Sequence, residues 1–114
     1  MSIRLEEKPF EIGGRVYKLR CNMAVLDRIE EAHDGNFAAV MELPVREGMA
    51  ELLAAMLNDY AEDMGWEQDW TARRVKKQVP YKALLEADVI GLFNRAIIPA
   101  SQQEISEPGG DSKN

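Results

Sequence analysis

The sequence predicts a mainly α-helical domain with one antiparallel β-hairpin at its N-terminus, a small α+β fold of four to five helices. Three observations carry this. Gly13-Gly14 separates two short alternating segments, the apolar residues after Leu19 switch to helical spacing, and Gly or Pro stands at the end of most helical stretches. The chain has 114 residues, 46% of them hydrophobic, a length that fits one domain able to bury its own core. We place this domain at residues 1–98, with the hairpin at about 8–20, and expect residues 99–114 to form a disordered tail.

The hairpin comes first. Phe10-Glu11-Ile12 and Arg15-Val16-Tyr17-Lys18-Leu19 flank the glycines, and a two-residue Gly-Gly loop suits a primed turn. With that loop Phe10, Ile12, Tyr17 and Leu19 share one face, while Val16 lies opposite Glu11 on the other. An isolated hairpin is marginal in water, so its apolar face must rest on helices. Asn22 is a suitable N-cap for a first helix carrying Val25, Leu26, Ile29 and Ala32, and Asp34-Gly35 stops it. Asn36 begins a short second helix that runs through Leu43 to Pro44. A long helix from about Glu47 to Met64 places Met49, Leu52, Leu53, Met56, Leu57, Tyr60 and Met64 in a single apolar stripe, with Gly65 behind it. Trp66 to Thr71 is a connector in which Asp69 or Thr71 caps a short basic helix from Ala72 to Val79. Pro80 then opens a last helix that reaches about Ile98, where Pro99 ends it.

Composition removes several classes of function. The formal net charge is −6, from 20 acidic and 14 basic side chains, so a general nucleic-acid or membrane-surface coat is disfavoured. No apolar run approaches the ~20 residues of a membrane span, and no apolar leader follows Met1. The single cysteine, Cys21, excludes an internal disulfide and fits a reducing cytoplasm.

Few residues suggest chemistry. Cys21 and His33 would need a base in reach and a third orienting group to act as a nucleophile pair. The ordinary readings are a small buried apolar residue at a strand-to-helix junction and a histidine favoured by helix-terminal carbonyls. No spacing typical of transition-metal or nucleotide sites occurs, so neither metal nor cofactor is expected, and no pair of groups has recognisable catalytic spacing. Asp59, Glu62, Asp63, Glu67 and Asp69 lack the turn glycine and closing glutamate of a calcium loop and read as a solvated acidic face. Arg73, Arg74, Lys76 and Lys77, with Trp70 and Tyr81 nearby, resemble the mixture of charge and aromatics that binds single-stranded nucleic acid. A solvated face offsetting the acidic helix explains them as well.

The last helix is more informative. Leu85, Val89, Leu92 and Ala96 form a central stripe, Ile90, Phe93 and Ile97 widen it on one side and Leu84 on the other. The apolar arc then spans roughly 200°, about twice what one core face requires. Such a helix is either central in the fold or presents one flank to another protein. The chain's six methionines suit a surface that accepts varied partners, although Met49, Met56 and Met64 also fit a core.

Phe10-Glu11-Ile12-Gly13-Gly14-Arg15-Val16-Tyr17-Lys18-Leu19-Arg20, followed by Asn22-Met23-Ala24-Val25-Leu26-Asp27-Arg28-Ile29-Glu30, resembles the opening of phage tail assembly chaperones. There a hairpin with a Gly turn precedes a capped helix that ends at a glycine, here Gly35. An apolar helix like Leu52 to Leu57, a connector and a closing helix follow, so the resemblance extends over about residues 8 to 98. The basic segment Arg73 to Lys77 and the Trp-rich connector depart from the pattern.

The resemblance implies that the protein binds the long tape measure protein in the bacterial cytoplasm, keeps it soluble during tail tube assembly, and is absent from the finished virion. Many members are also made in a longer, frameshifted form. Lacking a nucleotide motif, such a chaperone would act passively, by mass action. The expected mode is an amphipathic partner helix in an apolar groove between the last helix and the Met-rich helix, lined by Met64, Ile90, Phe93 and Ile97. Self-association is left open. The competing expectations are a small nucleic-acid-binding regulator using Trp70, Arg73, Arg74, Lys76, Lys77 and Tyr81, and a structural tail protein retained in the virion.

Overall fold

The computed structural model describes residues 5–98. The tail expected at 99–114 lies outside them. The described chain is mainly helical, with five α-helices, one 3-10 segment and an N-terminal antiparallel hairpin.

Strands β1 (Lys8–Ile12) and β2 (Arg15–Leu19) pair with Phe10 opposite Tyr17, Glu11 opposite Val16 and Ile12 opposite Arg15. Gly13 and Gly14 both have positive φ, 62° and 79°, the conformation a primed turn requires at both central positions. Phe10, Tyr17 and Leu19 are buried, Ile12 packs against the core from its edge, and Val16 faces solvent.

Helix α1 (Met23–Ala32) starts where the Asn22 side chain accepts a hydrogen bond from the Val25 amide at 2.8 Å. It stops where Asp34 and Gly35 turn left-handed. A 3-10 segment (Phe37–Glu42) follows, capped by Asn36; this is the short second helix, wound more tightly than an α-helix. Helix α2 (Val45–Met64) begins two residues earlier than expected, directly after Pro44, and ends at left-handed Gly65. Thr71 caps α3 (Ala72–Gln78) by accepting from the Arg74 amide at 3.1 Å.

Helix α2 is the axis of the fold. It contacts β2, the 3-10 segment and every other α-helix. The expected stripe is buried from Met49 to Leu57, but Gly48, Ala50, Ala54, Ala55 and Ala61 are buried too. The single-stripe reading is therefore too narrow, because small side chains on the flanks let neighbours approach from other directions. At Gly48 a Cβ would lie 2.9 Å from the Val40 carbonyl oxygen, so only glycine permits the 3-10 backbone to come this close.

The last helix of the sequence reading is two helices. Helix α4 (Tyr81–Ala87) and helix α5 (Val89–Ile97) meet at Asp88, whose φ and ψ are 56° and 41°. Asp is among the few non-glycine residues that adopt this conformation. The Asp88 carboxylate lies against Gly91, where a Cβ would overlap it, and accepts from Arg95 Nη2 at 3.0 Å. The break changes which residues face inward. Leu85, placed on the central stripe of a continuous helix, is 52% exposed, whereas Phe93 is fully buried with its ring edge-on to Phe37.

Candidate functional site

The residues expected to carry function separate into three groups. The first is the polar cluster at the strand-to-helix junction. Arg20 donates from Nε to Asp59 Oδ2 at 3.0 Å, and Asn22 Nδ2 donates to the same oxygen at 2.8 Å. Arg20 also pairs with Asp63 and, at 3.5 Å, with Glu7. Asp59 is buried, which corrects its assignment to a solvated acidic face; its charge is compensated by Arg20, and its Oδ2 accepts from both Arg20 and Asn22, as burial requires. Beside it, burial first and the Asp59 carboxylate second push the Cys21 thiol up to about 11, the opposite of what an activated nucleophile needs. His33 caps α1, and its Nε2 meets Glu51 Oε1 at 2.6 Å, tying α1 to α2. Cys21 and His33 thus have separate structural partners. Among the described residues, no group of three or more His, Cys, Asp or Glu side chains is placed to hold a metal ion.

The second group is the basic helix and its aromatics. Trp70 is buried, and Asn58 clamps its backbone, donating to its carbonyl at 2.8 Å and accepting from its amide at 3.0 Å. The indole Nε1 donates to the Tyr17 hydroxyl at 3.3 Å, and the Arg74 guanidinium covers the ring 3.9 Å from its centroid. Stacking a nucleobase on Trp70 would require dismantling this arrangement. Arg74 also reaches Asp69 Oδ1 at 2.6 Å, and Lys76 pairs with Glu47. Tyr81, Arg73 and Lys77 face solvent. Trp66 joins Tyr17 and Tyr60 in an edge-to-face cluster under the Arg15 guanidinium, so the Trp-rich connector is part of the packing of the hairpin onto α2.

The third group is the flank of α5. Of the four residues expected to line a partner groove, Phe93 is in the core, Ile90 and Ile97 are partly buried against it, and Met64 is exposed at the end of α2. The groove that α5 does form uses other side chains. It holds about 670 Å³ and is lined by Leu92 and Ala96 of α5, Met23 and Leu26 of α1, Leu5 before the hairpin, and Cys21 at its base. Met23 is 80% exposed. At the rim Arg95 binds Glu6 in bidentate fashion, at 2.8 and 2.9 Å, which fixes the segment before β1 to α5. Met23 and Leu26 lie three residues apart on α1, a spacing visible in the sequence. Their meeting with Ala96 is not visible there, because the rotation of α5 depends on the break at Asp88.

Among the described residues, no helix is long and apolar enough to cross a membrane. No family model matches the chain, and neither curated proteins nor solved structures provide a match.

Proposed function

We propose that this protein is a phage or prophage tail assembly chaperone, a passive, ATP-independent binder that keeps a long helical tape measure protein soluble in the host cytoplasm while the tail tube assembles. It works without a place in the finished virion. The observation that carries the reading is the apolar groove between α1 and α5, with Met23 standing free at its edge. The resemblance of residues 10 to 35 to tail assembly chaperones supplies the identity of the partner.

Physically, such a groove accepts an amphipathic helix through residues at i, i+3, i+4 and i+7. The unbranched Met23 side chain adapts to different anchors, as a chaperone of a long repetitive partner needs. Binding lowers the free concentration of the aggregation-prone partner by mass action, so no chemical step is involved.

The test is co-expression with the tape measure protein of the same phage or prophage, followed by co-purification. The wild-type chain should retain the partner. Met23→Glu combined with Ala96→Glu should keep the far-UV circular dichroism and the melting temperature, since both residues are exposed, yet release the partner, because two charges would be buried unpaired. A wild-type chain that never co-purifies, or a folded double variant that still holds the partner, would refute the reading. Mass spectrometry of purified particles distinguishes a chaperone, absent from them, from a structural tail protein.

A further inference from the structure

A second groove, of about 400 Å³, lies between the start of α2 and the helices α3 and α4. Its floor is aliphatic, made of the buried side chains Val75, Val79 and Leu84. Its rim is Arg46, Lys76 and Tyr81, with Glu47 paired to Lys76. Tyr81 is half-exposed, and Leu85, one turn further along α4, extends the same apolar face into solvent.

The charge around this groove runs against that of the whole protein. From Trp70 to Leu85 the chain carries five cations and no acid, although its net charge is −6. Only Arg74 and Lys76 of these five are paired, with Asp69 and Glu47; among the described residues Arg73, Lys77 and Lys82 make no ion pair, and neither does Arg46 on the rim. Of the cations lining the groove Lys76 is held by Glu47 and Arg46 is unpaired among the described residues, and the likewise unpaired Lys82 follows Tyr81 on α4; an apolar cleft bordered in this way selects for apolar anchors flanked by carboxylates. It is poorly suited to nucleic acid, since the floor is aliphatic and Trp70 is inside the core.

We infer that the groove between α2, α3 and α4 docks an acidic amphipathic segment of a partner protein, with apolar anchors over Val75, Val79 and Leu84 and carboxylates against Arg46 and Lys82. The inference uses no residue of the α1–α5 groove and stands whether or not the chaperone reading does.

The probe is a fluorescein-labelled helical peptide with leucines at i, i+3, i+4 and i+7 and glutamates elsewhere, titrated into the full chain by fluorescence anisotropy. Saturable binding is expected, weakening with added salt. Binding should fall roughly tenfold in Arg46→Glu/Lys82→Glu and again in Tyr81→Ser, while Val16→Ser, exposed on the outer face of the hairpin and outside both grooves, leaves it unchanged. All of these positions are exposed, so circular dichroism should be retained. Arg46→Gln, together with amide chemical-shift mapping of the wild-type complex onto Lys76, Val79 and Leu84, provides the same test independently of any charge reversal. Equal binding of a peptide with lysines in place of the glutamates overturns the inference, as does undiminished binding by the variants or displacement of the peptide by oligo(dT). Two results would assign the groove to a different occupant and overturn it as well. Tighter peptide binding by Ile105→Ser would identify the chain's own C-terminal segment, and self-association lost in Tyr81→Ser would identify a second copy.

Discussion

Helix α2 and the pair α4–α5 are both apolar stretches, yet they use their side chains in opposite ways. Over its 20 residues α2 is unbroken and is packed on several sides. The chain from Tyr81 to Ile97 breaks at Asp88 and points its two halves differently. In α2 the large residues Leu52, Leu53, Met56 and Leu57 fill one side, while the small residues Gly48, Ala50, Ala54 and Ala61 are buried as well, Gly48 directly against the Val40 backbone. In α4–α5 the same aim, burying more apolar surface than one face can hold, is met by a change of direction that turns Phe93 into the core and leaves Leu85 outside. A broad apolar arc therefore has two physical solutions: small flanking residues around a central helix, or a left-handed residue that divides one helix into two.

The largest expected effect sharpens this contrast. Leu53→Ala or Met56→Ala, both at fully buried positions, should lower the unfolding free energy by about 2–5 kcal/mol in urea titrations. Leu85→Ala should cost no more than about 0.5 kcal/mol. Comparable losses at Leu53 and Leu85 would mean that α4 and α5 form one continuous helix after all.

Cys21 links the two regions, facing Asp59 of α2 and lining a groove with Leu92 of α5. Its folded pKa, about 11, lies above the ordinary 9.0, so the folded state holds the thiol proton more tightly. Its contribution is fully present below about pH 9, declines as pH rises toward 11, and levels off beyond. That window should remove about 2–3 kcal/mol of stability. In Cys21→Ala the same pH interval should show a correspondingly shallower decline, measured as the slope of unfolding free energy against pH.

Two glycines give a smaller and more discriminating comparison. At Gly48 a Cβ would press on the Val40 backbone, which has little room to yield, so Gly48→Ala should destabilise by about 1–3 kcal/mol. At Gly91 the obstacle is the Asp88 carboxylate, the mobile end of a side chain. There the gain in helix propensity offsets its displacement, and Gly91→Ala should change stability by less than about 1 kcal/mol. The smallest effect is at the break itself. Asp88→Gly relieves the positive φ and should stabilise by about 0.5–1 kcal/mol despite loss of the exposed bond to Arg95. Asp88→Ala should destabilise, and if it stabilises, the left-handed junction is absent in solution.

Local features were legible without coordinates. Gly13-Gly14 specifies the turn, and with it the register that puts Phe10 opposite Tyr17. Asn22, Asn36 and Thr71 cap the elements that follow them, and Gly35 and Gly65 adopt the positive φ expected where a helix ends. Asp59 shows where such reading stops. Its neighbours Glu62 and Asp63 suggest a solvated acidic face, but its partner Arg20 lies 39 positions away in the chain. Trp70 looks like an exposed aromatic beside cations until Asn58 and Tyr17 are seen to hold it. The two grooves are equally hidden, since one joins Met23 to Ala96 and the other joins Arg46 to Tyr81.

The sequence by itself determined the fold class, the hairpin register and nearly every helix boundary, because turns, caps and periodicity depend on residues within a few positions of one another. Tertiary structure alone decided that α2 is central, that a helix breaks at Asp88, and which apolar side chains remain on the surface. Those outcomes depend on the total energy of packing remote segments together. A left-handed aspartate costs on the order of 1 kcal/mol, and burying a phenylalanine contributes more than that, so the burial of Phe93 against Phe37 of the 3-10 segment outweighs the cost of the break.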